Sequence, residues 1–169
     1  MKTDTFNALW PELESASDKG LARAIKHAAE KYDELMLEHE LVPDEGFDFL
    51  LQVLSSSRVA KARGIEHFLL EVNVDFCKYT ADQQTRLLRS LIVNAGCFAD
   101  ELGRHSIGDL IARAYPAQVA FNALEGLAQG SPFEKHVAFV GLDVLAVQLP
   151  VESPLYKSVD KRWRELMNT

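Results

Sequence analysis

The 169 residues of this chain fit one domain, because chains divide into separate cores only well above roughly 250 residues. An apolar fraction of 47% with 25% charged residues is typical of a globular protein and excludes intrinsic disorder. The formal net charge of −7 argues against direct binding of nucleic acid, which needs a surplus of Lys and Arg to neutralise phosphates.

The sequence also argues against a membrane span and a secretory signal. The longest apolar candidate, residues 137–149, is interrupted by Asp143 and Gln148, so no run approaches roughly 18 residues. The N-terminal sequence is acidic and amphipathic and lacks a basic start followed by an apolar segment. Cys77 and Cys97 have no histidine at metal-ligand spacing, and we expect free thiols. We therefore expect a soluble cytoplasmic protein with no cofactor and no bound metal.

Helical periodicity dominates the sequence up to Pro43. A short first helix is predicted from the apolar spacing of Phe6, Leu9, Trp10 and Leu13, with Asn7 as its cap so that Pro11 falls in the first turn. Ser17 is predicted to cap a long second helix that Pro43 stops. The apolar seam of this second helix is narrow and consists of Leu21, Ile25, Ala28, Tyr32 and Leu35.

Three further helices are predicted between Pro43 and Gly96. Their apolar stripes are Phe47, Leu50, Leu51 and Leu54, then Ala62, Ile65, Leu69 and Val72, then Leu87, Leu88, Leu91, Ile92 and Ala95. Thr80 and Gln83 form a capping box before the third of these helices, and Gly96 marks its end. Apolar residues alternate over 72–77, which we interpret as an extended connector rather than a strand.

Four helices are predicted in the second half of the chain. The first carries Ile107, Leu110, Ile111 and Ala114, and the second begins at Pro116 and is closed by Gly130. Ser131 with Glu134 is the clearest capping box, and the helix that it opens is apolar on most of its circumference, which predicts a buried core helix. Ser153 and Pro154 begin the last helix. The chain is thus predicted to be all-α, with about nine helices in a single domain spanning 1–169.

Three segments share the order small, aliphatic, acidic, any residue, large apolar, apolar. They are residues 64–69, 123–128 and 141–146. A small residue before an aliphatic one lets neighbouring helices approach closely, and in this the segment from Ile107 to Leu149 resembles HEAT-like helical repeats. The resemblance implies a short stack of helical hairpins that binds other macromolecules, and it carries over no catalytic residue. A compact irregular bundle is the other architecture consistent with the pattern.

No catalytic motif stands out in the sequence. None of the five histidines follows a glutamate by three residues, as a carboxylate-bridged metal site in a helical bundle requires. Neither a Gly-x-Ser-x-Gly sequence nor a phosphate-binding glycine loop is present. Asp44, Glu45 and Asp48 place three carboxylates on one helical turn, and Glu30 with Asp33 repeats the spacing earlier in the chain. Such a group could hold Mg²⁺ for phosphate chemistry, but the downstream Glu-x-x-Asp pair that all-α nucleotide pyrophosphatases also need is missing.

Residues 30–48, called the acidic segment below, carry the whole formal charge of the chain. They contain a single basic residue, Lys31, against eight acidic ones: Glu30, Asp33, Glu34, Glu38, Glu40, Asp44, Glu45 and Asp48. Glu30, Asp33 and Glu34 lie opposite the seam of the second helix. Together with Glu38 and Glu40 they fall toward the C-terminal end of this predicted helix, where the helix dipole opposes anions. Local stability therefore does not account for them, whereas Asp44, Glu45 and Asp48 lie at a helix start that favours anions.

The acidic segment predicts a surface that binds a basic protein. We expect a non-enzymatic, protein-binding module, since helical bacterial immunity proteins, which neutralise basic nuclease-type toxins, are similar in being compact, acidic and soluble. The eight acidic residues are the candidate partner-binding residues. The alternatives are a Mg²⁺-dependent phosphohydrolase that uses Asp44, Glu45 and Asp48, or a helical scaffold subunit.

Overall fold

A computed structural model describes residues 5–169 and shows ten α-helices and no β-strand among them. The helices span Phe6–Ser15 (α1), Leu21–Met36 (α2), Asp44–Ser55 (α3), Ser57–Ala60 (α4), Ile65–Val74 (α5), Ala81–Asn94 (α6), Glu101–Ala114 (α7), Ala117–Leu127 (α8), Pro132–Gln148 (α9) and Pro154–Met167 (α10). Two 3₁₀ turns lie at Phe76–Lys78 and Ala95–Cys97. The predicted all-α fold of about nine helices is confirmed, and the additional helix is the single turn α4. Residues 1–4, part of the segment searched for a secretory signal, lie outside the described residues.

The packing of the Cα atoms divides the chain into two compact units that meet in sequence between Asn94 and Ala95. In the first unit, α2 packs against α1 and α5, while α3 packs against α1, α4 and α6. In the second unit, α9 packs against α7, α8 and α10. The prediction of one domain over 1–169 stays a prediction.

Aromatic side chains form the centre of the first unit. Tyr32 of α2 contacts Phe6 at 5.4 Å and Phe68 at 6.0 Å between ring centroids. Phe49 of α3 lies 6.0 Å from Tyr32 and 5.9 Å from Phe68, so four helices meet around one buried tyrosine. Edge-on and tilted ring pairs at such distances add to the free energy gained from burying apolar area.

The core of the second unit is aliphatic and is built around α9. Val137, Ala138, Leu142 and Leu145 of this helix are buried. The predicted capping box is present at its start, because Glu134 N donates to Ser131 Oγ at 3.3 Å and Ser131 N donates to the Glu134 carboxylate at 2.6 Å. The burial of six residues of this helix agrees with the prediction of a core helix opened by Ser131, whereas Phe133 and Val147 at its two ends are exposed.

Three local predictions are wrong. Pro11 lies inside α1, since the helix begins at Phe6 after Thr5, and the backbone bond that a residue at this position normally makes to Asn7 is absent. Ser17 closes the turn before α2, where it accepts a hydrogen bond from Gly20 N at 3.2 Å, and does not cap the helix. Residues 72–77 are helix followed by a 3₁₀ turn rather than an extended connector.

The end of α2 also differs from the prediction, which extended the helix to Pro43. The helix ends at Met36, and Met36 rather than Leu35 completes the buried seam. Residues 37–43, called the α2–α3 loop below, connect it to α3. Glu38 and Glu40 are therefore loop residues, and the helix-dipole argument does not apply to them.

Candidate functional site

The acidic segment runs over the second half of α2, the α2–α3 loop and the start of α3. Seven of its eight carboxylates are exposed, and Asp33 is half-buried. Most carboxylates of the segment thus lie at the surface of the first unit. Whether this surface meets a partner protein stays a prediction.

The first part of the segment follows from the geometry of α2. The buried residues Ile25, Ala28, Tyr32 and Met36 recur at helical spacing and fix which side of the helix faces the core. Glu30 and Glu34 lie on the opposite side and are paired locally, Glu30 with Lys26 at 4.0 Å and Glu34 with Lys31 at 2.7 Å. These exposed pairs add little to stability.

Asp33 has a different environment from its neighbours. It is hydrogen-bonded to Glu71 of α5, a contact between two carboxyl groups. Burial raises the pKa of Glu71, and the charges of Asp33 and then Asp75 raise it further. Asp75 itself is buried and pairs with Lys78 at 3.1 Å. Asp33 therefore contributes more to the contact between α2 and α5 than to the exposed surface.

The α2–α3 loop is fixed at both ends. Lys78 Nζ donates to the Met36 carbonyl oxygen at 3.1 Å. Val42 is buried, its N–H donates to the Lys78 carbonyl oxygen at 3.0 Å, and its own carbonyl accepts from Gln83 Nε2 at 3.1 Å. Inside the loop, His39 N donates to the Met36 carbonyl oxygen at 3.2 Å. The five residues between the two fixed ends are thereby tied to the surface of the first unit.

Two large apolar side chains are exposed on this loop. Leu37 is 72% exposed and Leu41 is 60% exposed, and Glu38, His39 and Glu40 between them are exposed as well. Exposed apolar side chains that are bordered by charged ones can take part in a contact with another protein. The sequence analysis missed these residues, although their position outside the α2 seam and between acidic residues was the available signal.

The carboxylates of the segment divide into paired and unpaired groups. Asp48 lies 3.8 Å from Arg86 of α6, and Glu45 accepts a hydrogen bond of 3.4 Å from Asn7 of α1. Glu38, Glu40 and Asp44 make no ion pair with any described residue. The unpaired group therefore lies on and directly after the α2–α3 loop, beside the two exposed leucines.

The prediction for the start of α3 holds for Asp44 and Glu45 but not for Asp48, which is the fifth residue of the helix. Asp44 and Glu45 occupy its first turn, where the free backbone N–H groups and the helix dipole favour anions. Within residues 5–169, no group of three or more His, Cys, Asp or Glu side chains is placed to hold a metal ion. In the same part of the chain, no helix has both the length and the apolar composition of a membrane span.

Comparisons of the chain with protein-family models, curated proteins and solved structures find no match.

Proposed function

We propose that this chain is a non-enzymatic protein-binding module whose acidic segment meets a basic partner protein. The most concrete form of the proposal is a cytosolic immunity or inhibitor protein that neutralises a basic toxin or nuclease. One observation carries it: Glu38, Glu40 and Asp44 make no ion pair with a described residue, and they lie on or directly after the loop that exposes Leu37 and Leu41. The α2–α3 loop is the centre of the proposed surface.

Unpaired carboxylates suit this role for an electrostatic reason. A partner's Lys or Arg that approaches Glu38 or Glu40 displaces only water, because no ion pair within the described residues has to break. A concentrated negative potential also accelerates encounter with a positively charged surface, by a factor that falls as salt increases. The unpaired group is therefore expected to control the association rate.

Leu37 and Leu41 add apolar area to the proposed surface, which charged groups do not provide. A buried leucine contributes on the order of 1.5–3 kcal/mol relative to an exposed one. Since the loop is already held by Lys78 and Gln83, little conformational freedom remains to be lost on binding. Leu37 and Leu41 are therefore expected to slow dissociation from the partner.

The HEAT-like resemblance remains part of the proposal. Gly141 of α9, one of the small residues that carry it, lies against α8 and α7, because an added Cβ would meet Leu124 Cδ2 at 2.5 Å and the Gly108 carbonyl oxygen at 3.0 Å. This close approach supports a stack of helical hairpins in the second unit. Such scaffolds typically bind macromolecules, in agreement with the proposed role.

The test compares charge reversal at the unpaired group with charge reversal elsewhere. The partner is the protein captured on the immobilised chain from its native cell, or the product of the adjacent coding sequence. Replacing Glu38, Glu40 and Asp44 by Lys is expected to slow association about tenfold or more at low salt. Stopped-flow mixing of the purified proteins measures the rate. A second variant, Leu37→Ser with Leu41→Ser, is expected to speed dissociation.

Three other acidic residues provide the matched control. Glu14, Glu101 and Glu152 are exposed and make no ion pair with a described residue, so their replacement by Lys changes the net charge by the same amount. The control variant is expected to associate nearly as fast as the native chain. Equal rates for the two charge-reversed variants would contradict the proposed surface.

A further inference from the structure

A groove in the second unit opens between the end of α9 and the start of α10. Its volume is about 380 Å³, within the range of small-molecule sites. Six of its lining residues carry the argument: Asp143, Val147, Val151, Tyr156, Asp160 and Trp163. No Lys, Arg or His side chain lines it. The groove is thus apolar, aromatic and acidic, and it does not depend on the acidic segment.

The helical period explains why these side chains share one groove. Tyr156, Asp160 and Trp163 follow one another at intervals of four and three residues along α10, so they lie on one face of that helix. Asp143 and Val147 of α9 are separated by four residues and also share a face. The two helices are neighbours in sequence and pack together, which places both faces along the groove.

The walls of the groove are apolar surfaces that the second unit leaves uncovered. Val147 is 84% exposed and Val151 is 63% exposed. Trp163 is held in place by Phe139, whose ring is stacked on the indole at 5.6 Å with an interplanar angle of 16°. An aromatic side chain fixed in this way keeps its position when a ligand enters.

The charged residues of the groove favour a ligand of positive charge. Asp160 is paired with Arg164 at 2.9 Å, whereas Asp143 is exposed and makes no ion pair with a described residue. An anion would be repelled by the Asp143 carboxylate, while an organic cation could pair with it without breaking an ion pair between described residues. Tyrosine and tryptophan rings also attract ammonium groups through their electron-rich faces.

We infer that the α9–α10 groove binds an alkylammonium group, with Asp143 as its counter-ion and Val147 and Val151 covering its methylene chain. Two sources carry this chemistry, a free aliphatic amine and the side chain of a lysine in another protein. The rings of Tyr156 and Trp163 attract an ammonium group, so a cation is expected to bind more tightly than a neutral chain of the same length.

The experiment uses nuclear magnetic resonance on the full chain labelled with ¹⁵N. The two tryptophans give two indole N–H signals, of which Trp163 lies at the groove and Trp10 lies in α1. Titration with n-butylammonium chloride is expected to shift the Trp163 signal in a saturable manner and to leave the Trp10 signal unchanged. n-Butanol, which is neutral and of similar length, is expected to bind about tenfold more weakly.

A second arm distinguishes the two sources of the cation. The probe is a capped peptide with one central lysine and no other charge. Tighter binding of this peptide than of butylammonium assigns the groove to a lysine side chain, and tighter binding of butylammonium assigns it to a free amine. Both results support the inference.

Two variants test whether Asp143 is the counter-ion of the bound ammonium group. Asp143→Asn is expected to weaken butylammonium binding about five- to tenfold, whereas Glu101→Gln, which removes an exposed carboxylate that does not line the groove, should leave it unchanged. The signals of the remaining residues report that each variant is folded. The inference is overturned by the absence of a saturable Trp163 shift, by equal affinity for butanol, or by unchanged binding in Asp143→Asn.

Discussion

Glu71 and Asp33 bring two carboxyl groups together between α5 and α2, and this contact makes stability depend on pH. The folded chain favours the protonated form of Glu71, because burial and the neighbouring carboxylates raise its pKa above the ordinary value of 4.5. Well below pH 4.5, Glu71 is protonated in both the folded and the unfolded chain, so its titration does not lower the free energy of unfolding there. As the pH rises through the folded pKa, the folded chain loses the proton and this part of its stability.

Replacing Glu71 by Gln is therefore expected to stabilise the chain at neutral pH. The amide keeps a hydrogen-bond donor for Asp33 and removes the repulsion between two carboxylates, which for partly exposed pairs is worth about 0.2–1 kcal/mol. Urea denaturation at several pH values measures the difference in the free energy of unfolding. The advantage of the variant should shrink as the pH falls toward 4.5.

Glu30→Gln serves as the control, since Glu30 is exposed on the same helix and faces Lys26 rather than a carboxylate. This variant is expected to change stability by a few tenths of a kcal/mol at most. A Glu71→Gln variant that is less stable than the native chain at neutral pH would contradict the destabilising repulsion between Glu71 and Asp33.

At the scale of helices, the contact between α7 and α9 depends on two glycines that face each other. A Cβ added to Gly108 would lie 2.6 Å from the Val137 carbonyl oxygen and 2.9 Å from the Gly141 nitrogen. Both neighbours are backbone atoms, so the helices would have to move apart to accept a methyl group. The close approach is thus a property of the pair of helices rather than of flexible side chains.

We expect Gly108→Ala to destabilise the chain by about 1–3 kcal/mol through this overpacking. Gly126 of α8 provides a matched control, because nothing lies within 4 Å of its added Cβ. There the same substitution is expected to stabilise the chain by up to about 1 kcal/mol, since alanine favours a helix more than glycine. Denaturant midpoints of the two variants are compared with that of the native chain. A midpoint for Gly108→Ala at or above the native one would contradict the backbone clash.

The starts of helices that are marked by a capping box were predictable from the sequence. Ser131 with Glu134 and Thr80 with Gln83 form the expected reciprocal hydrogen bonds, because each capping box involves only residues three apart. The end of α2 was not predictable in this way. The last residue of α2 is Met36. Its carbonyl oxygen accepts a hydrogen bond from Lys78, which lies 42 positions later in the sequence.

The same distinction applies to the candidate site. The position and charge of the acidic segment are visible in the composition of residues 30–48. The division into paired and unpaired carboxylates was not visible, since it depends on Arg86 and Glu71, which come from other helices. The exposure of Leu37 and Leu41 likewise follows from where α2 ends. Local periodicity therefore identified the helices, and long-range contacts defined the surface.

For the molecule as a whole, the concentration of charge predicts a specific response to salt. Glu38 and Glu40 are exposed and unpaired among the described residues, and added salt screens their repulsion over distances beyond about 10 Å at 0.1 M. Added sodium chloride is therefore expected to raise the midpoint of thermal unfolding by about 2 °C. Circular dichroism during heating measures this change.

The variant Glu38→Gln with Glu40→Gln separates this effect from the general action of salt on proteins. With two of the repelling charges removed, the rise in the unfolding midpoint should be smaller than in the native chain. An equal rise in both proteins would show that screening within the acidic segment contributes nothing to stability.

The position of Cys77 makes the α2–α3 loop accessible to a direct measurement. Its thiol is exposed, free of any disulfide and one residue before Lys78, which holds both ends of the loop. With Cys97 replaced by serine, a spin label or fluorophore attached to Cys77 would lie beside the proposed docking surface. The chain thus carries a natural labelling position from which occupation of the loop can be followed in real time.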